Sequence, residues 1–183
     1  MAKLKTTATE VSISKTKGEI IKEALRIEEA ASISGKSHYN DSSYWGFCNL
    51  ALGLPTTILS GVVAVKSFAQ MDSTNNIAGV IAIIIAVLSG LMTFLDPTKR
   101  AATHQKAGSE YSTLENRVRL FRTVDCWGKD SDAVLTTKIK EFSEKKNKLN
   151  ADNPQPSPLG YIMAKRGIKK GEAAYKVDDS GTE

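Results

Sequence analysis

Ile77 to Leu95 reads IAGVIAIIIAVLSGLMTFL and carries no charged residue. Trp45 to Val65, WGFCNLALGLPTTILSGVVAV, is also uncharged and ends at Lys66. A helix rises about 1.5 Å per residue, so either run makes roughly 30 Å of apolar rod, matching a bilayer's hydrocarbon core. Lys66 to Asn76 joins the two with mostly polar residues, short enough to close a helical hairpin. The pattern predicts two transmembrane helices, near 45–67 and 77–95. The first run lies behind a charged segment and is too long for a cleaved leader, so a retained span is expected.

Working outward, the charge is unevenly placed. Net charge is +5 over 183 residues. Lys3, Lys5, Lys15, Lys17, Lys22, Arg26 and Lys36 precede the first run, and Lys99, Arg100 and Lys106 follow the second. The connecting stretch holds only Lys66, offset by Asp72. Basic residues near a membrane stay on its cytoplasmic side, so both termini are expected there. Cys48 falls in the first run and Cys126 far beyond the second. No disulfide is expected in a reducing compartment, and both read as packing residues.

Residues 1–17, rich in Thr, Ser and Lys, read as a disordered arm. From Gly18 to Tyr44 an amphipathic helix is expected: Ile20, Ala24, Ile27 and Ala31 recur at helical spacing, with Lys22, Glu23, Glu28 and Glu29 opposite. It should loosen at Ser34-Gly35 before Tyr44 and Trp45 reach the interface. Within the first apolar run, Pro55 predicts a kink, because it lacks an N–H and crowds the Ala51 carbonyl; neighbouring helices or the Thr56 and Thr57 hydroxyls can satisfy the freed group.

After Leu95, Asp96 reads as a helix cap with Pro97 as first helical residue. His104, Ala107, Tyr111, Leu114, Val118 and Phe121 then alternate three and four apart, a heptad seam suited to joining copies of the chain. Cys126-Trp127-Gly128 should end that helix, and Ser131 or Asp130 cap another carrying Leu135, Ile139 and Phe142. Lys138, Lys140, Lys145, Lys146 and Lys148 form a basic surface, read as a solvated face near an anionic membrane rather than a nucleic-acid site. The region 96–150 is thus a cytoplasmic helical unit, followed over 151–183 by a stiff Pro-rich linker and a basic, weakly amphipathic tail. The fold class is an all-α membrane protein.

No catalytic constellation is visible and no cofactor is expected. Gly35-Lys36-Ser37 resembles the end of a phosphate loop, but Ala30 occupies the first glycine position and no strand precedes it. His38 and His104 lack ligand partners at metal spacing. Asn49, Thr56, Ser60, Ser89 and Thr93, beside a small-residue stripe, remain as candidates either for helix packing or for lining an aqueous path. Two helices cannot enclose a pore, so conduction requires a homo-oligomer.

An amphipathic helix, a two-span hairpin and a second span running directly into a cytoplasmic helix with Lys99-Arg100-Ala101-Ala102-Thr103-His104, then Tyr111, Leu114 and Arg117, form a layout similar to the SLATT proteins. These are two-transmembrane effectors associated with SMODS nucleotidyltransferases and SLOG sensor domains. The resemblance covers 18–150. It implies an antiviral-defense effector of the bacterial inner membrane that forms a pore and kills or arrests the cell. It further implies a sensor or nucleotide-second-messenger-linked partner encoded nearby. A passive membrane anchor that docks a soluble sensor or enzyme is the main alternative, and a small constitutive ion channel subunit the other. Neither run holds an acidic or basic residue, which weighs against coupled transport.

Overall fold

The computed structural model describes residues 15–68 and 76–172, and every regular element among them is helical. Helix α1 is Lys15–Phe68, α2 Asn76–Leu95, α3 Pro97–Thr123, α4 Asp132–Asp152 and α5 Pro158–Lys169, with a 3-10 turn at Asp125–Trp127 between α3 and α4. Residues 1–14 of the expected arm, most of the connecting stretch and the acidic end of the tail lie outside the described residues. Lys15 to Lys17 already belong to α1, so that helix starts before Gly18. Two helical stretches are long and apolar enough to span a membrane.

The expected break at Ser34-Gly35 is absent. α1 is one helix of 54 residues, about 80 Å long at 1.5 Å per residue. Ala24, Ala31, His38, Trp45, Leu52 and Leu59, seven apart, all fall on its inward side, the first three buried and the last three half-buried. Gly35 lies inside the helix rather than ending it. A Cβ there would lie 3.4 Å from the Gly108 carbonyl oxygen and from Tyr111 Cβ. Its missing side chain thus serves the crossing with α3, not a turn. Opposite it, a Cβ on Gly108 would press on the Tyr39 ring at 3.0 Å.

α2 and α3 return along α1 in antiparallel fashion. Met92 meets Gly53, Thr98 meets Asn49, His104 meets His38 and Arg122 meets Glu28. Only Asp96 interrupts the two helices. Its φ of 42° is left-handed, a region that Asp enters more readily than most residues. Its carboxylate accepts from the Lys99 N–H at 3.2 Å, and Pro97 opens α3 where a missing donor costs nothing. The cap expected at Asp96-Pro97 is present.

The core lies between the first half of α1 and α3, and α4 closes it. Ile20, Ala24, Ile27 and Ala31 pack with Tyr111, Leu114, Val118 and Phe121, joined by Cys126, Leu135 and Ile139. Both cysteines are free, Cys126 buried in this core. Ser131 caps α4 as expected. The stretch read as a stiff linker is only a short connection, and the tail beyond it is α5, docked on α1. Ser157 caps that helix and Pro158 occupies its first position.

Candidate functional site

Two places carry the polar groups singled out by the sequence: the apolar pair, formed by the second half of α1 with α2, and the level just below it, where α1, α3 and α5 meet.

In the apolar pair, α2 turns Ala78, Ile81, Ile85, Leu88, Met92 and Leu95 inward at heptad spacing, each half-buried. Leu52, Thr56, Leu59 and Val63 answer from α1. The small and polar side of α2, with Gly79, Ala82, Ala86, Ser89, Gly90 and Thr93, is therefore not what packs on α1. Gly79 and Gly90 have no heavy atom within 4 Å of a built Cβ, and of the small residues Gly53, Thr57 and Gly61 spaced along α1, Gly53 meets Met92 while Gly61 likewise has nothing within 4 Å.

The polar candidates do not converge. Asn49 is half-buried and accepts from the Thr98 hydroxyl at 3.1 Å. Thr56, half-buried, donates to the Leu52 carbonyl at 2.7 Å, and Ser60 to that of Thr56 at 2.8 Å. Thr93 donates to the Ser89 carbonyl at 3.0 Å, and Ser60, Ser89 and Thr93 are exposed. Bonding back to the same helix lets a hydroxyl sit in apolar surroundings without a partner helix. α1 continues as a helix through Pro55. Thr57 donates to Gly53 at 2.9 Å, so neither threonine takes up the Ala51 carbonyl, which sets aside that one of the two expected routes. Hydroxyls bond the carbonyl four residues back, which for these two positions is Leu52 or Gly53.

The seam on α3 departs most from its expected use. His104, Ala107, Tyr111, Leu114, Val118 and Phe121 are all buried in a single chain. α1 covers them, because the antiparallel return of α3 offers an apolar stripe of matching spacing on the same molecule. The seam is thus an internal contact, and Leu114 and Val118 have no surface left to offer a second copy.

Where α1, α3 and α5 meet, buried polar groups join what the sequence left apart. His38 Nδ1 lies 2.9 Å from His104 Nδ1, so the two rings share a single proton. His38 stacks on Tyr111 with centroids 5.5 Å apart, and the Tyr111 hydroxyl donates to Asn150 of α4 at 2.7 Å. Burial, then the neighbouring His104, push the His38 pKa below its ordinary value, outweighing the Asp41 charge that raises it. Asp41 lies 3.9 Å from His104 Nδ1, outside hydrogen-bond range. Its carboxylate instead accepts from the Ser157 N–H at 2.6 Å and from the Ser157 hydroxyl.

A carboxylate at the N-terminus of α5 meets the positive end of the helix and two donors, which is what a buried charge needs. Asn40 adds a bond to the Gly160 carbonyl at 3.1 Å. Only glycine fits at 160, since a Cβ would overlap the Asp41 carboxylate. Among the described residues no three His, Cys, Asp or Glu side chains are grouped to hold a metal ion. The facing ring nitrogens are bonded to each other, and the Asp41 oxygens are held by Ser157.

The inward position of His38 was within reach of the sequence, though its pairing with His104 was not. His38 lies seven residues from Ala31 and from Trp45, and so on the inward side of α1. Ser157-Pro158 likewise carries the signature of a helix start. The basic surface is also partly engaged: Lys138 bridges Asp125 at 3.2 Å and Asp130 at 3.1 Å, tying the start of α4 to the turn before it. Comparison with family models, curated proteins and solved structures returns no match for this chain.

Proposed function

We propose that the chain is a two-span effector of the bacterial inner membrane, with both termini cytoplasmic, whose copies associate through the apolar pair and open a pore. The observation that carries this reading is the outward side of α2. A helix without a charged residue keeps Ser89 and Thr93 exposed, beside glycines that meet nothing, while its apolar seam is already engaged by α1. Small residues allow close approach of a further helix, and hydroxyls tolerate either lipid or water. Several two-helix units arranged with these sides inward would line a polar path. With the α3 seam internal, the contacts between copies fall to the apolar pairs themselves. The basic flank of Lys99 and Arg100 supports the assigned orientation. The role in defence, and a nearby-encoded sensor or nucleotide signal as trigger, rest on the resemblance to the SLATT layout.

The test is expression in cells with a potential-sensitive dye. Depolarisation that disappears when Ser89 and Thr93 are replaced by Leu is expected; an unchanged potential under every activating condition tried would sink the reading.

A second reading makes the apolar pair a passive anchor and the bundle a docking module. The exposed Leu120, Val124 and Trp127, at the end of α3 remote from α2, favour it. Exchanging the apolar pair for an unrelated two-helix anchor separates the readings, because only the anchor role would survive.

A further inference from the structure

α5 presents two chemistries at one level of the molecule. Gly160, Ala164 and Gly167 face inward and are buried, which brings the helix close to α1. Leu159, Ile162 and Met163, at i, i+3 and i+4, share another side and are 55%, 45% and 51% exposed. Pro158 to Lys169 holds no acidic residue, while Lys165, Arg166 and Lys169 are exposed on it.

It lies along α1 from Lys36, which bridges Glu172 at 2.6 Å just past the end of α5, to Asp41, which holds Ser157, with Phe47 lining the cleft beyond. That is where α1 passes from charged to uncharged sequence. Leu159 and Met163 of α5, with Tyr44 and the 68%-exposed Phe47 of α1, line a mainly apolar cleft of about 300 Å³. Nearby on the same level, Arg100 lies 4.9 Å over the Trp45 ring, and Phe94 is exposed beside Lys99.

We propose that α5 is a membrane-surface helix. Leu159, Ile162 and Met163 enter the acyl boundary, lipid chains fill the cleft against Tyr44 and Phe47, and Lys165, Arg166 and Lys169 hold anionic phosphates. The inference rests on the membrane reading above. Charge complementarity selects the occupant: the patch is rimmed by cations, and the one acid lining its cleft, Asp41, is buried and held by Ser157, which suits an anionic lipid surface. It suits a second copy of a chain of net charge +5 poorly. The patch also meets exposed apolar side chains of α1, Tyr44 and Phe47, across the cleft.

The full chain, with Cys48→Ala and Cys126→Ala and the parent's circular dichroism, is labelled with a nitroxide at Met163→Cys. It is placed in nanodiscs containing phosphatidylglycerol. The expected result is a several-fold preference of the label for collision with oxygen over a water-soluble nickel chelate. That preference should fall toward none in phosphatidylcholine discs, or after Lys165→Glu, Arg166→Glu and Lys169→Glu together. A water-like label, or one shielded from both reagents as a covering protein copy would make it, overturns the proposal. So does a preference equal in the two lipids. A matching label at Ile83→Cys, on the exposed side of α2, keeps the two levels apart. If Ile83→Cys is lipid-like while Met163→Cys is not, only the role of α5 fails; if Ile83→Cys is water-like, the membrane reading itself fails.

Discussion

The two ends of α1 carry the same seven-residue seam and are completed differently. Over its first half, the seam meets α3, and α4 and α5 pack around the pair, so Ala24, Ile27, Val118 and Phe121 are almost fully buried. Beyond Asn49 the seam packs against α2 instead, and Leu50, Leu54, Ile58, Ile83 and Val87 are left more than half exposed. A single stripe buried against one neighbour suffices only where the remaining sides have an apolar solvent. The polar half needs further helices, because in water the hydrophobic effect supplies the stability. In lipid that term is absent between helices, and contact rests on packing and on hydrogen bonds satisfied within each helix. Hydroxyls bond back to their own helix in both halves, Thr56, Ser60 and Thr93 in the apolar pair and Ser37, Thr113 and Thr136 in the bundle, and near α5 Ser157 also reaches across to Asp41.

The strongest way to break the comparison is to charge the seam of the polar half. Leu114→Asp and Val118→Asp each place a carboxylate in the core, at a cost of about 3–5 kcal/mol when no partner is present. Together they should unfold the bundle, seen as loss of the cooperative melt and rapid proteolysis between α3 and α4. A folded bundle with smaller particles in detergent would instead mean the seam joins copies.

Next in size is the latch of α5. Gly160→Ala forces a Cβ into the Asp41 carboxylate, and Asp41→Ala leaves the Ser157 N–H without its acceptor. Each should cost about 1–3 kcal/mol. Hydrogen exchange over 158–169 should rise while exchange in α3 stays slow. Equal acceleration in both would show that α5 is part of the core rather than a docked element.

A smaller effect concerns pH and distinguishes the halves without a mutation. His38 has a folded-state pKa below its ordinary value, because burial and His104 disfavour its charge. Well above about 6.5, the unfolded value, both states are neutral and the stability is fully present. As pH falls through that value the unfolded chain takes a proton that the folded chain refuses, so stability declines until the folded pKa is also passed. The bundle melt should therefore drop between pH 7 and 5, and His38→Phe should flatten the part of that slope due to this ring. A slope unchanged in the variant would remove His38 as its source.

Least costly to the fold is Ser89→Ala with Thr93→Val. Since the Thr93 hydroxyl bonds only its own helix, folding should change by less than about 1 kcal/mol. Conductance in a planar bilayer should fall if these groups line a path. Unaltered current with unaltered folding would assign the outward side of α2 to lipid.

Much of this could be read from residue order. The uncharged runs, the Asp96-Pro97 cap, the Ser131 cap and the periodicity of 104–121 are local features, set by propensity and by spacing along one helix. Ser34-Gly35 misled because glycine reads as a helix end by local propensity, whereas here its missing side chain admits Gly108 and Tyr111. The seam misled for a related reason. A heptad stripe states that an apolar neighbour exists, and says nothing of whether the neighbour is another copy or an earlier part of the same chain. The tail was read as weakly amphipathic because Gly160, Ala164 and Gly167 look featureless until α1 lies against them.

The sequence by itself determined which segments are helical, where two can cross a bilayer and which side of each is apolar, since these depend on residues within a few turns of one another. Tertiary structure alone decided that α1 stays unbroken, that α3 uses its seam on α1, that His38 faces His104 and that Asp41 anchors α5. Those contacts join residues 66 and 116 positions apart. The first of them follows from the left-handed backbone at Asp96, which lets α2 and α3 run back along α1.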